Sequence, residues 1–114
     1  MIVIDTNVLK GVEPKGHFGG LTTVDVINAD QARNMVVQVS RGPVNSGAYS
    51  HAHADSEQLF FVLEGRLTIR TADGQSVVLK PGMAAFLPRG EAHATQNEGG
   101  EPVVSLIVTS PPLK

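Results

Sequence analysis

From residue 35 to residue 110 the chain alternates apolar and polar positions in short runs, each closed by glycine, proline or a small polar pair. "MVVQVSRG" (35–42), "QLFFVLEG" (58–65), "RLTIRTADG" (66–74), "SVVLKPG" (76–82), "MAAFLPRG" (83–90) and "VVSLIVTS" (103–110) each read as a strand running into a turn. Asp73-Gly74 predicts a hairpin, because both residues tolerate the positive φ of a primed turn. Only "NADQARN" (28–34) has the composition for a helical turn, and it is too short to bury a face of its own. Many short strands with no long amphipathic helix predict an all-β chain, a sandwich or barrel whose paired sheets protect their edges. The first sixteen residues, ending in "EPKG", read as an arm that packs on the barrel or on a second subunit.

Composition adds limits. A chain of 114 residues is expected to form a single domain, and neither an internal repeat nor a linker divides it. A net charge of -2 supplies no basic field for nucleic acid or anionic lipid, so neither is an expected partner. Cysteine is absent, which removes disulfides, thiolate ligands and thiol nucleophiles together; any metal must be held by nitrogen and oxygen. The opening "MIVIDTNVLK" carries Asp5 within its apolar stretch and has no basic leader, and no apolar run reaches the length of a membrane span. A soluble, cytoplasmic protein is the expectation.

The chemistry gathers around "SHAHADSEQLFFVLEG" (50–65). Successive strand residues point to opposite faces, so His51 and His53 are expected to share one face, with Tyr49 beside them and Ala52 turned away. A His-x-His pair alone is a weak signal. His93 strengthens it, since it follows "PRGEA", a Pro/Gly turn after which the chain can re-enter a strand facing the same cavity. Three imidazoles with an oxygen ligand and no sulfur suit one divalent ion among Mn, Fe, Co, Ni, Cu and Zn.

These residues resemble the cupins, small double-stranded β-helix or jelly-roll barrels with two conserved sequence blocks. The second block runs Gly, five residues, Pro, one, Gly, two, His, three, Asn; Gly82, Pro88, Gly90, His93 and Asn97 match it in full. The first block has two histidines one residue apart, three or four residues, an acid, six residues and a Gly, and is matched by His51, His53 and Gly65. Its leading Gly is expected at position 45, where this chain has Asn45. Counting back from Gly65 lands on Gln58, whereas Glu57 fits only the shorter spacing from His53. The resemblance covers residues 42–110 and implies a metal held by His51, His53, His93 and either Gln58 or Glu57, with spacing favouring Gln58.

Which neighbour binds bears on mechanism. Only one of two adjacent strand residues faces inward; if Gln58 does, Phe60 and Val62 follow it, and Leu59, Phe61 and Leu63 form an apolar outer row that a homodimer would cover. Three imidazoles and a neutral amide leave the full double charge on the ion, which favours a small anionic ligand such as a 2-oxo acid, enediolate or catecholate. The leading functional expectation is a metal-dependent oxygenase acting on a small molecule. A non-redox lyase or isomerase is the alternative, with Tyr49 or Glu57 as the available catalytic base, and a non-catalytic small-molecule binder is the third reading. His17 reads as an ordinary loop residue, Phe60, Val62, Met83 and Phe86 as core residues sooner than as a pocket wall, and Asn97 as a turn residue or a hydrogen-bond partner that orients His93.

Overall fold

The computed structural model describes residues 1–113 as two facing five-stranded antiparallel sheets. The strands are β1 (His17–Phe18), β2 (Thr22–Ile27), β3 (Val36–Gly42), β4 (Gly47–His51), β5 (Glu57–Glu64), β6 (Leu67–Thr71), β7 (Ser76–Leu79), β8 (Ala84–Leu87), β9 (His93–Gln96) and β10 (Val103–Ser110). One sheet has the order β1-β4-β9-β6-β7 and the other β2-β3-β10-β5-β8, a jelly-roll sandwich of the expected all-β kind. All six strands expected from the alternation form. The sequence pattern did not single out β1 and β2: β1 is only two residues long, and β2, "TTVDVI", lies just before the segment assigned to a turn.

Local chemistry accounts for the turns. Asn28 Oδ1 accepts from the Asp30 and Gln31 amides, and the Ala32 amide donates to the Asn28 carbonyl, so 28–34 makes one turn and then stops. The hairpin at Asp73-Gly74 forms with a different geometry from the primed turn. The Gly74 amide donates to the Thr71 carbonyl and the Thr71 amide to the Gln75 carbonyl, closing a three-residue loop in which Gly74 takes the positive φ. Asp73 stays at negative φ because its carboxylate is engaged by the Gln75 amide and the Thr71 hydroxyl. Asn45, standing where the motif has glycine, adopts φ 70° and is the one non-glycine residue at positive φ among those described. Asparagine is among the few side chains that enter this region at modest cost.

A core of Phe60, Val62, Leu67, Ile69, Leu79, Leu87 and Val103 fills the space between the sheets. β5 sets its edge: Gln58, Phe60 and Val62 are buried, whereas Glu57, Leu59 and Leu63 are exposed. Outside the barrel, the arm touches the sheet where Val12 and Thr23 pair through two backbone bonds of 3.0 and 2.9 Å, while Ile2, Val3 and Val8 stay exposed. Asn97 ties the far end together. Fully buried, it donates to the carbonyls of Gly42, Pro43 and Glu101 and accepts from the Gly99 amide, joining two loops 55 residues apart. Of the two roles read from its motif position it takes that of a turn residue, and the His93 ring is oriented instead by the Glu91 carbonyl.

Candidate metal centre

His51 and His93 face each other as register partners on β4 and β9, and His53 follows just past the end of β4. The three rings form a cluster, with centroids 4.5 Å apart for His51 and His93, 4.8 Å for His51 and His53, and 5.7 Å for His53 and His93. One ligand nitrogen from each lies within 4.8 Å of the others, a group that could hold a metal ion.

Backbone carbonyls orient two of these rings. His51 Nδ1 lies 2.7 Å from the Tyr49 carbonyl, and His93 Nδ1 lies 3.0 Å from the Glu91 carbonyl. A carbonyl oxygen only accepts, so each Nδ1 carries the proton and each Nε2 keeps its lone pair for a ligand. Burial holds the His53 imidazole below its ordinary value, with further lowering from the neighbouring His51 and His93. Burial likewise depresses His93, and the hydrogen bond to Glu91 opposes the shift. With the net direction downward at both, the His53 and His93 rings stay neutral near pH 7, the form that binds metal.

Gln58 faces the same space. Its amide nitrogen donates to Thr109 Oγ1 at 3.0 Å, which leaves Oε1 for the cavity that Gln58 lines. Gln58 Oε1, His53 Nε2 and His93 Nε2 are among the buried side-chain atoms with no protein partner, together with Ser46 Oγ. Orphaned buried acceptors are costly in a folded chain; Gln58 and His53 line one cavity and His93 joins His53 in the imidazole cluster, a donor set that fits a cation. Glu57 is exposed, on the other side of β5, and does not line this space, because adjacent strand residues alternate.

The cavity above the cluster measures about 410 Å³. Gln38, Ser40, Ser105 and Thr95 supply polar groups to its wall, while Leu21, Phe60, Leu67 and Ile107 supply apolar surface. Lys15 is the sole Lys, Arg, Asp or Glu along its lining among the described residues. Of Phe60, Val62, Met83 and Phe86, for which core is the favoured reading of the sequence and pocket wall the alternative, only Phe60 lines the cavity. Val62 lies in the core, and Met83 and Phe86 are exposed on the outer surface. Tyr49 borders the cavity mouth and does not share the inward face of His51. A register shift between Ala48 and His51 inserts one extra residue, which turns Tyr49 outward onto Phe18, with ring centroids 4.7 Å apart and 64% of the residue exposed.

The sequence matches the Cupin domain family over residues 36–109. The chain belongs to the cupins. Among curated proteins, this cupin is 42% identical over 55 residues to YdbB of Bacillus subtilis, a stretch covering 47% of this chain and 49% of that protein. It is 34% identical over 62 residues to a glucose-6-phosphate isomerase of Thermococcus gammatolerans, covering 51% of this chain and 33% of the isomerase. The chain thus spans half or less of the length of these two relatives. Among solved structures, the polyketide cyclase RemF from Streptomyces resistomycificus superposes with a TM-score of 0.84 at 26% identity, covering 100% of this chain and 84% of the cyclase.

Proposed function

We propose that this cupin holds one divalent metal ion through His51, His53, His93 and Gln58 and uses it to bind and convert a small anionic molecule without net redox change, by isomerisation, cyclisation or elimination. The observation that carries the reading is the Gln58 amide oxygen, buried and unpartnered in a cavity that His51 and His53 also line and that no carboxylate side chain lines among the described residues. When bound by four neutral donors, the ion supplies Lewis acidity at its full double charge. The chain's own residues do the rest. The Tyr49 and Glu91 carbonyls orient two imidazoles, Thr109 holds the Gln58 amide by its nitrogen, and Phe60, Leu67 and Ile107 exclude water. Lys15 adds a positive charge at the mouth for an incoming anion. Tyr49 is the one of the two proposed bases that borders the cavity. The matched glucose-6-phosphate isomerase and polyketide cyclase favour this chemistry over the oxygenase that stood first among the expectations.

Gln58→Glu tests the reading. The added carboxylate would cancel half the ion's charge, so the variant is expected to keep its metal and to bind pyruvate about tenfold more weakly in calorimetry. Unchanged pyruvate affinity would remove the electrostatic basis of the proposal, and oxygen uptake by the metal-loaded wild type would move the chemistry to the oxygenase.

A homodimer belongs to the same proposal. Leu59 and Phe86 are register partners on the outer face of β5 and β8, exposed at 38% and 58%, with Leu63 farther along the same strand. Burying such a row is worth about 25 cal/mol per Å² of apolar surface. Sedimentation velocity is expected to show twice the 12.0 kDa chain mass, and Leu59→Asp with Phe86→Asp to return the single chain; a monomeric wild type would refute the dimer.

A further inference from the structure

The fourth histidine lies outside the metal cluster and faces the same cavity. β1 pairs with β4 so that His17 stands opposite Ala48 and Phe18 opposite Gly47. Residues directly paired across strands share a face. Ala48 is buried against the cavity, so His17 points inward with it, while Phe18 turns outward onto Tyr49. The backbone fixes this placement through the Tyr49 amide, which donates to the Gly16 carbonyl at 2.8 Å. His17 therefore lines the cavity, with its ring centroid 6.3 Å from that of His51.

Its ring is held as the rings of His51 and His93 are. His17 Nδ1 lies 2.8 Å from the Lys15 carbonyl, two residues earlier in the chain, so Nδ1 carries the proton and Nε2 is an acceptor. Two plainer roles fit less well. As a metal ligand His17 would join the cluster, yet the group of nitrogens within 4.8 Å of one another comprises His51, His53 and His93 without it. As packing it would be covered, yet its ring borders the open cavity. A fixed acceptor set one small molecule away from a metal centre is placed to receive a hydrogen bond from that molecule.

We propose that His17 Nε2 accepts a hydrogen bond from a hydroxyl of the anion held at the metal centre, so that the site selects 2-hydroxy acids, enols or catechols over counterparts lacking the hydroxyl. This rests on the function proposed above and narrows its substrate class. The selection arises because a donor-bearing ligand satisfies the imidazole, whereas a 2-oxo acid presents only acceptors to it.

The test uses the full chain loaded with cobalt(II), titrated with glycolate and with pyruvate while the visible cobalt absorption is followed. His17→Phe keeps the ring volume and removes the acceptor; His17→Gln restores an acceptor through its amide oxygen. Glycolate affinity is expected to fall about tenfold in His17→Phe and to recover in part in His17→Gln, with pyruvate affinity and cobalt stoichiometry unchanged in both. Equal losses for the two probes, or no loss for either, would overturn the assignment. Loss of cobalt from His17→Phe would overturn it by making His17 a ligand, whereas a wild type that takes up no cobalt would overturn the function proposed above together with this refinement of it.

Discussion

His93→Ala is expected to leave the barrel folded and to lower affinity for a divalent ion by more than about 100-fold, the upper end of the loss seen when only an outer hydrogen-bond partner of a ligand is removed. His93 is the most deeply placed of the three imidazoles, at 1% exposure, with its Nε2 among the unpartnered buried atoms. Neither nearby acid stands in its place: Glu91 meets the ring through its backbone carbonyl, and Glu57 is exposed on the other side of β5. Elemental analysis of protein purified without added metal, with circular dichroism as the fold control, makes the comparison. Glu57→Ala, which alters an exposed residue, should retain its metal in full. A His93→Ala protein with undiminished metal would show that the ion sits elsewhere.

The largest loss of stability is expected at Gly65. Its φ of +74° disfavours any side chain by about 1–2 kcal/mol. A Cβ there would also press on the Pro102 carbonyl oxygen and stand 2.9 Å from Val103 Cα, both backbone atoms that cannot swing aside. Gly65→Ala should therefore cost about 3 kcal/mol or more, read as a lower urea midpoint at unchanged slope. The site should suffer with it. Gly65 follows the place where β5 slips by one residue against β10, between the Val104–Glu64 and Ser105–Val62 pairs. Beyond that slip the pairing runs regularly to Thr109 opposite Gln58, so the close approach at Gly65 helps place the amide beside its hydroxyl partner. A variant of wild-type stability would mean that the chain shifts there without strain.

Much of this was readable in the chain. The positions of β3, β5 to β8 and β10 follow from alternation, which also allows only one of Glu57 and Gln58 to face inward; spacing to Gly65 favours Gln58, and Gln58 is buried on the side of Phe60 and Val62. Asn97 was visible as a motif position, but its four bonds were not, because their partners lie across loops that only the folded chain brings together. Tyr49 illustrates a different limit. Alternation places it with His51, and a single extra residue in β4 reverses that, a slip that no residue type announces. His17 was illegible for a third reason: a two-residue strand leaves no periodicity to read, and its inward direction comes wholly from pairing with Ala48.

The carbonyl two residues before each of His17, His51 and His93 holds that ring by its Nδ1. Each of these imidazoles thus travels with its own bracket, a three-residue unit that sets tautomer and aim without borrowing a side chain from anywhere else. The barrel has only to bring such units to the right separation. Its walls are thereby released from orienting the chemistry, and residues such as Gln38, Ser40 and Ser105 can be exchanged to reshape the chamber while the imidazoles stay aimed. In a fold reused for many reactions, that division of labour lets substrate preference drift while the centre itself is inherited intact.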